Sequence, residues 1–254
     1  MIASSFISHG PPDRLLYNSP AKQFLEKFPN LLTKKAKAIV VISAHWQSRE
    51  LCISQTGKLD SQHDFWGFPK DLYNFSYQSE QPAWLSDAIN KSLNTHSLKA
   101  KPVSYKLDHG IWSVLKLAYP NQQIPLAALS LPQVNDLKKL YELGQALSDL
   151  RQQGVLILAS GSATHNLRAL SLSGQTPLWA KHFVTWLQRC VAEWDIDQLC
   201  QPYKYCEHAQ LAHPSLEHYA PLLIAMGAAK KSSTRLIHES WEYGSLNNSS
   251  WLFE

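Results

Sequence analysis

Apolar residues along this chain fall into two kinds of run. Short unbroken ones, rich in β-branched side chains, alternate with longer ones in which apolar positions recur every three or four residues. The first kind covers residues 2–8, 38–43, 124–130 and 155–159, and it predicts strands buried on both faces. The second kind predicts helices. Ser19-Pro20 marks a helix start, because proline suits the first turn, and Phe24, Leu25, Phe28 and Leu31 then share a face. Further helices are expected over 82–93, 111–118, 134–152 and 178–194, and over 219–229, where Pro221 should disturb the helix. Residues 233–238 and 249–253 read as closing strands. Residues 52–77 are less regular and include Asp64-Phe65-Trp66-Gly67-Phe68-Pro69, an aromatic, turn-rich stretch that could fold over a cleft. Strands alternating with helices make the fold class α/β, a single domain with a central mixed, mostly parallel sheet flanked by helices.

Composition narrows the partners. The chain has 254 residues, enough for one large domain with a real core. Its 44% apolar and 17% charged fractions exclude a disordered chain. The formal charge is +4, with basic residues scattered except at Lys34-Lys35-Ala36-Lys37 and Lys230-Lys231. Those clusters read as solvated helix ends, so no nucleic-acid partner is expected, although a mildly cationic surface could attract an acidic small substrate. No apolar run approaches the roughly 20 residues of a membrane helix, so no membrane partner is expected either. Cys52, Cys190, Cys200 and Cys206 show no CxxC spacing, and no signal peptide is read ahead of them; reduced thiols in the cytoplasm are the expectation. The nine Trp and ten Tyr could line an aromatic cleft, but filling the core accounts for most of them.

The candidate chemistry lies in histidines. His9 closes the first apolar run ahead of Gly10-Pro11-Pro12, His45 follows 38–44 ahead of Trp46, and His165 follows 155–161. Buried strands of α/β sheets end at the face where loops gather ligands, so a metal site at the strand ends is expected. A fourth histidine, His218, stands in His213-Pro214-Ser215-Leu216-Glu217-His218, opening the late helix and lying inside it. One histidine alone is ordinarily a surface or core residue, but imidazoles delivered by separate segments can converge on one ion, and neutral imidazole is a common ligand of zinc and iron. His213 and His218 are five apart and share no helix face, so at most one is a ligand, with Glu217 the carboxylate alternative. Thr164 reads as a helix cap that aims His165 into the crevice. The segment Gly161-Ser162-Ala163-Thr164-His165 lacks the G-x-S-x-G elbow of a serine hydrolase. Asp108-His109-Gly110 is either a turn closed by an Asx bond or a histidine held by an aspartate, which would suit acid–base work.

Taken together, several segments resemble the class III extradiol ring-cleaving dioxygenases. They are Ile7-Ser8-His9-Gly10, Ile42-Ser43-Ala44-His45-Trp46, Phe65-Trp66-Gly67-Phe68-Pro69 with Leu72-Tyr73, Asp108-His109-Gly110-Ile111-Trp112, Gly161-Ser162 with His165-Asn166-Leu167, His213-Pro214 with Glu217-His218-Tyr219, and Tyr243-Gly244-Ser245-Leu246. The branch is the DOPA extradiol dioxygenase type, related more distantly to the catalytic subunit of protocatechuate 4,5-dioxygenase. The resemblance makes residues 1–254 one catalytic domain of that type. It implies His9, His45 and His218 as metal ligands, His165 as the active-site base and His109 as a second catalytic histidine near the substrate. It also implies one divalent metal per chain, Fe(II) for ring cleavage, and a small aromatic diol with O2 as partners. Trp46, Trp66, Phe68 and Trp112 are candidates to sandwich the ring. Distant members carry a glutamate where His218 falls; an all-histidine set leans toward Zn(II) in the purified protein, with His165 as a possible fourth ligand. Tyr77-Gln78-Ser79-Glu80 departs from the family's proline- and glycine-containing turn. Two rival readings remain: a zinc-dependent hydrolase on the same site with His165 or Glu217 as base, and a non-catalytic metal-binding or partner-binding protein.

Overall fold

The computed structural model describes residues 1–121, 124–172, 174–231 and 233–254. Eight strands form one sheet: β1 Ser4–Ser8, β2 Ala38–Ser48, β3 Cys52–Ser54, β4 Lys101–Val103, β5 Leu126–Pro132, β6 Val155–Gly161, β7 Thr234–His238 and β8 Ser250–Phe253. Their order is β4-β3-β5-β2-β6-β1-β8-β7. The central β5-β2-β6-β1 block is parallel, as is the β3–β4 pair, whereas β3 runs antiparallel to β5 and β8 runs antiparallel to both β1 and β7. The sheet is mixed and mostly parallel, as the sequence predicts.

Six principal helices cover it: α1 Pro20–Leu31, α2 Ala83–Asn94, α3 His109–Ala118, α4 Lys138–Leu147, α5 Leu178–Glu193 and α6 Pro221–Ala229. Along β2, Val40 and Ile42 pack into one apolar cluster with α2, α4, α5 and α6, while Ile39 and Val41 pack into another with α1 and α3. Helices on both faces explain why the central strands read as unbroken apolar runs rather than alternating ones. The start of α1 follows the expected logic: Ser19 accepts a hydrogen bond from the Lys22 backbone, with Pro20 in the first turn.

Three expectations need correction. Pro221 does not disturb its helix but opens it, in the first turn where a missing N–H costs nothing. Residues 214–220 are consequently bends and turns, so His218 precedes α6 instead of lying within a helix. Strand β2 does not stop at Ser43; it runs on to Ser48 past an irregularity, since Ile42 pairs with Leu129 but Gln47 with Leu131. His45 lies in that unpaired stretch, where a bulge can re-aim a side chain. The departing segment after Tyr77 is absorbed into a two-stranded ribbon, Gly57–Asp60 with Gln78–Gln81.

Candidate metal centre

Strands β1, β2 and β6 run parallel, and their mutual pairing ends at one level, with Ser8 paired to Gly161 and Ser43 to Ser160. That register brings His9, the irregular stretch holding His45, and the β6 exit to one edge. His218 reaches the same place because its backbone crosses the β6 end: its carbonyl accepts from Ser162 N at 2.9 Å. Only glycine fits beneath that crossing, since a Cβ on Gly161 would stand 2.2 Å from the His218 carbonyl oxygen.

Three imidazole nitrogens converge there. His45 Nε2 lies 3.1 Å from His9 Nε2 and 3.4 Å from His218 Nε2. Their protons can be assigned from their partners. Ser160 Oγ donates its one hydrogen to the Gly110 carbonyl at 2.5 Å, so it must accept from Nδ1–H of His9 at 2.8 Å. Glu217 Oε1 takes the Nδ1–H of His218 at 3.0 Å. Both rings in neutral form therefore present bare Nε2 lone pairs, and a hydrogen on His45 Nε2 could satisfy only one of them. Burial, followed by the neighbouring imidazoles, holds His9 well below the usual histidine range and His45 at about 2; burial also lowers His218. Three neutral lone-pair donors aimed at one point fit a divalent cation, and the carboxylate and hydroxyl behind two of them are the outer partners such ligands use.

His165 and His109 stand beside this trio. The His165 ring stacks on His218 with centroids 3.4 Å apart and planes 9° from parallel, and its Nδ1 is 4.0 Å from Glu217 Oε1. Burial, and after it the neighbouring His218 imidazole, pushes His165 down to about 3. His109 opens α3, and its ring centroid is 4.0 Å from that of His45. The aspartate that holds it is not Asp108, which bonds Ser43 and Tyr105, but Asp64 from the aromatic loop. One Asp64 oxygen accepts the His109 backbone N–H and the other lies at Nδ1, both at 2.9 Å, so a distant carboxylate caps α3 and orients the ring together. Burial alone would raise the Asp64 carboxyl; the bonds and charge of His109 outweigh it and hold it low.

A cavity of about 360 Å³ opens above these groups, lined by Pro11, Pro12, Phe65, Trp66, Phe68, Leu167 and Leu246 besides the histidines. Of the four proposed ring-sandwiching residues, Trp66 and Phe68 are in this wall. Trp46 and Trp112 are not: Trp46 stacks on Tyr105 at 3.7 Å, and Trp112 is fully buried on the inward face of α3 with its indole N–H donating to Gln62 O. His213 is a core residue, bonded through Nε2 to Ala163 O and wedged between Phe183 and Tyr219. Thr164 is not a helix cap; its hydroxyl donates to Ser245 O and accepts from Asn247 N, while Asn166 caps the short turn that follows.

The sequence reading missed Asp64, Ser160 and Arg14. A lone carboxylate in an aromatic turn, and serine as the penultimate residue of an apolar strand, were the available signals. Arg14 is buried; its guanidinium donates to the carbonyls of Ser8 and His9 and to Glu242 and Asn248, clamping the His9 turn to the chain's closing segment.

His213 also makes acid stability testable. Burial depresses its folded pKa to about 4, against 6.5 in an unfolded chain. As pH falls below 6.5 the unfolded form takes up this proton first, so stability present above 6.5 is lost progressively down to about 4. The loss from this residue is about 3 kcal/mol. Urea midpoints measured between pH 7 and 4.5 should therefore flatten in His213→Gln; an unchanged slope would remove His213 as a source.

Fold and site together define a class: α/β proteins with a histidine cluster at the strand ends, fit for one divalent ion beneath an aromatic cavity. The family model described as the catalytic LigB subunit of aromatic ring-opening dioxygenase matches residues 4–254, and the chain belongs to that family. It is 39% identical to a Beta vulgaris protein named 4,5-DOPA dioxygenase extradiol, over 98% of this chain and 95% of the relative. A Mirabilis jalapa protein of the same name is 33% identical, over 95% and 92%. The crystal structure of an uncharacterized Escherichia coli K12 protein superposes with TM-score 0.82 at 26% identity, covering all of both chains.

Proposed function

We propose that this protein is a single-domain extradiol dioxygenase of residues 1–254 that opens a small catechol, DOPA or a relative of it, next to the diol with O2. The convergence of the His9, His45 and His218 Nε2 atoms at the floor of an aromatic cavity carries the reading. These three residues would hold the ion. Ferrous iron there supplies the redox link between an electron-rich ring and dioxygen, which zinc does not, even if zinc occupies the purified protein.

The chain's own groups have distinct tasks. His165 is neutral at pH 7 and can take a phenolic proton on Nε2, with the Glu217 carboxylate stabilising the resulting imidazolium. It suits a base better than a fourth ligand. Imidazoles coordinate in the ring plane, and two nearly parallel rings 3.4 Å apart direct their lone pairs side by side, not to one point. His109, with Nδ1 pinned to Asp64, presents Nε2 to an oxygen of substrate or O2. Phe65 and Phe68 flank the space for the ring, and Trp66, largely exposed, stands at its mouth. The four free thiols suit a cytoplasmic setting. The hydrolytic alternative gains nothing from the family or the relatives.

The test is oxygen uptake on a catechol panel by metal-free protein rebuilt with ferrous iron or with zinc. Uptake and a semialdehyde product with iron alone are expected; turnover of esters with zinc, without oxygen uptake, would overturn the reading. A second variant probes the positioning carboxylate. In Asp64→Asn the oxygen must stay on the His109 backbone N–H, so the amide nitrogen faces Nδ1 and forces the opposite tautomer. A fall in kcat of about a hundredfold with metal retained is expected; unchanged kcat would remove His109 from proton handling.

A further inference from the structure

Asp108 stands at the N-cap position of α3, yet its side chain does not cap the helix; Asp64 takes the His109 N–H instead. Asp108 is only 1% exposed, so its carboxyl must be held by donors from other segments. Both oxygens are bonded. Tyr105 OH donates to Oδ2, and Ser43 Oγ donates to Oδ1 at 2.8 Å. Burial raises the carboxyl pKa, and these two hydroxyls pull it back. Ser43 has one hydrogen, so giving it to Asp108 leaves its oxygen as an acceptor. That oxygen accepts the backbone N–H of His45 at 3.2 Å. The N–H lies in the stretch of β2 where pairing with β5 lapses, between Ile42 and Gln47. Through one serine, the carboxyl therefore fixes the backbone from which the middle imidazole of the trio projects.

The arrangement behind His9 has the same form. Ser160, the register partner of Ser43, accepts from His9 Nδ1 and donates to Gly110 O. Two paired serines thus each accept from a converging histidine, one from a ring and one from a backbone N–H. Each passes its own hydrogen to the start of α3. That start also bounds the His45 ring directly: a Cβ on Gly110 would stand 3.0 Å from His45 Cδ2 and 2.8 Å from Ser43 Oγ. We propose that Asp108 is a positioning residue for the metal centre, aiming His45 through Ser43 and so setting how tightly the trio holds a divalent cation. Outer groups that orient metal ligands act on affinity in this way. The inference rests on the trio as a metal site, not on the reaction that follows there.

The experiment measures zinc affinity of the metal-free full chain by competition with a chromophoric chelator, for the parent, Asp108→Asn, Ser43→Ala and the two combined. In Asp108→Asn one carbonyl oxygen must serve two hydroxyl donors, so an amide N–H faces either Ser43 or Tyr105. Each single variant should bind zinc about 10- to 100-fold more weakly, the range for losing a group behind a ligand. The combined variant should bind no more weakly than Ser43→Ala, because both changes act along one chain of bonds. Thermal melting of the metal-free proteins, followed by circular dichroism, reads the cost to folding separately. A lowered melting temperature with parental zinc affinity would overturn the proposal, since a role in packing alone gives that result. Losses that multiply in the combined variant would overturn it too. Ser43→Ala removes a single oxygen, so it decides the matter by itself should Asp108→Asn fail to fold. A parent that binds no zinc would strike the metal centre and this role with it; a parent that binds zinc no better than folded Ser43→Ala would strike only the role of Asp108.

Discussion

His45→Ala is expected to remain folded, retain no divalent ion after dialysis and open catechols at least about a thousandfold more slowly than the parent. His45 supplies the middle nitrogen of the trio, 3.1 Å from one neighbour and 3.4 Å from the other, so its loss leaves two donors with an empty position between them. The lost polarisation and ligand positioning are together worth several kcal/mol, which sets the size of the rate effect. Folding should survive for a local reason. His45 stands in the unpaired stretch of β2 and opens into the cavity, so truncation makes no void in the core. His9 is nearly fully buried and bonded to Ser160, and its removal would mix metal loss with packing loss. Metal content by mass spectrometry, circular dichroism and oxygen uptake separate these effects. Stoichiometric metal in folded His45→Ala would dissolve the centre as described.

What could be read from the amino acids alone follows a physical line. The central strands were legible because burial on both faces leaves an unbroken apolar run, as in 155–159, and the places of two of the converging imidazoles were legible because His9 closes such a run and His45 follows another. Helix 178–194 was recovered almost to the residue, since its apolar face repeats over four turns. Pairings between distant loops left no such trace. Asp64 and His109 are 45 positions apart, and nothing in either segment's spacing announces that this carboxylate, rather than the adjacent Asp108, turns toward the ring. Trp46 and Trp112 show the same limit for aromatics. Residue type predicts a large apolar surface but not whether it faces a cavity or the core, and Trp112 lies on the helix face that packs inward. Pro221 was misjudged because a proline within an apolar run breaks a helix or begins one according to where the first turn falls, and the bends at 214–220 decide that.

Removal of the His165 ring should separate binding from chemistry. His165→Ala is expected to keep its metal and lose about 10² to 10⁴ in kcat, the range that a positioned proton acceptor contributes. The stacked geometry favours this split: the His165 ring lies parallel over His218, while His9, His45 and His218 would hold the ion, so the second ring could be lost without emptying the centre. Its pH behaviour distinguishes it from an ordinary surface histidine. With its pKa pushed to about 3, mainly by burial, the imidazole is already unprotonated throughout the neutral range, and only acid far below pH 6.5 would disable it as a base. The acid limb of the parent's kcat/KM profile should therefore show no inflection near 6.5 from this residue. Glu217 acts on the same step from behind. Its carboxylate, 4.0 Å from His165 Nδ1, favours the protonated ring, so Glu217→Gln should weaken the base and lower kcat by about tenfold even where His218 still holds metal. Should His165→Ala lose its ion as completely as His45→Ala, the imidazole would belong to the coordination sphere, and the proton would have to leave by way of His109.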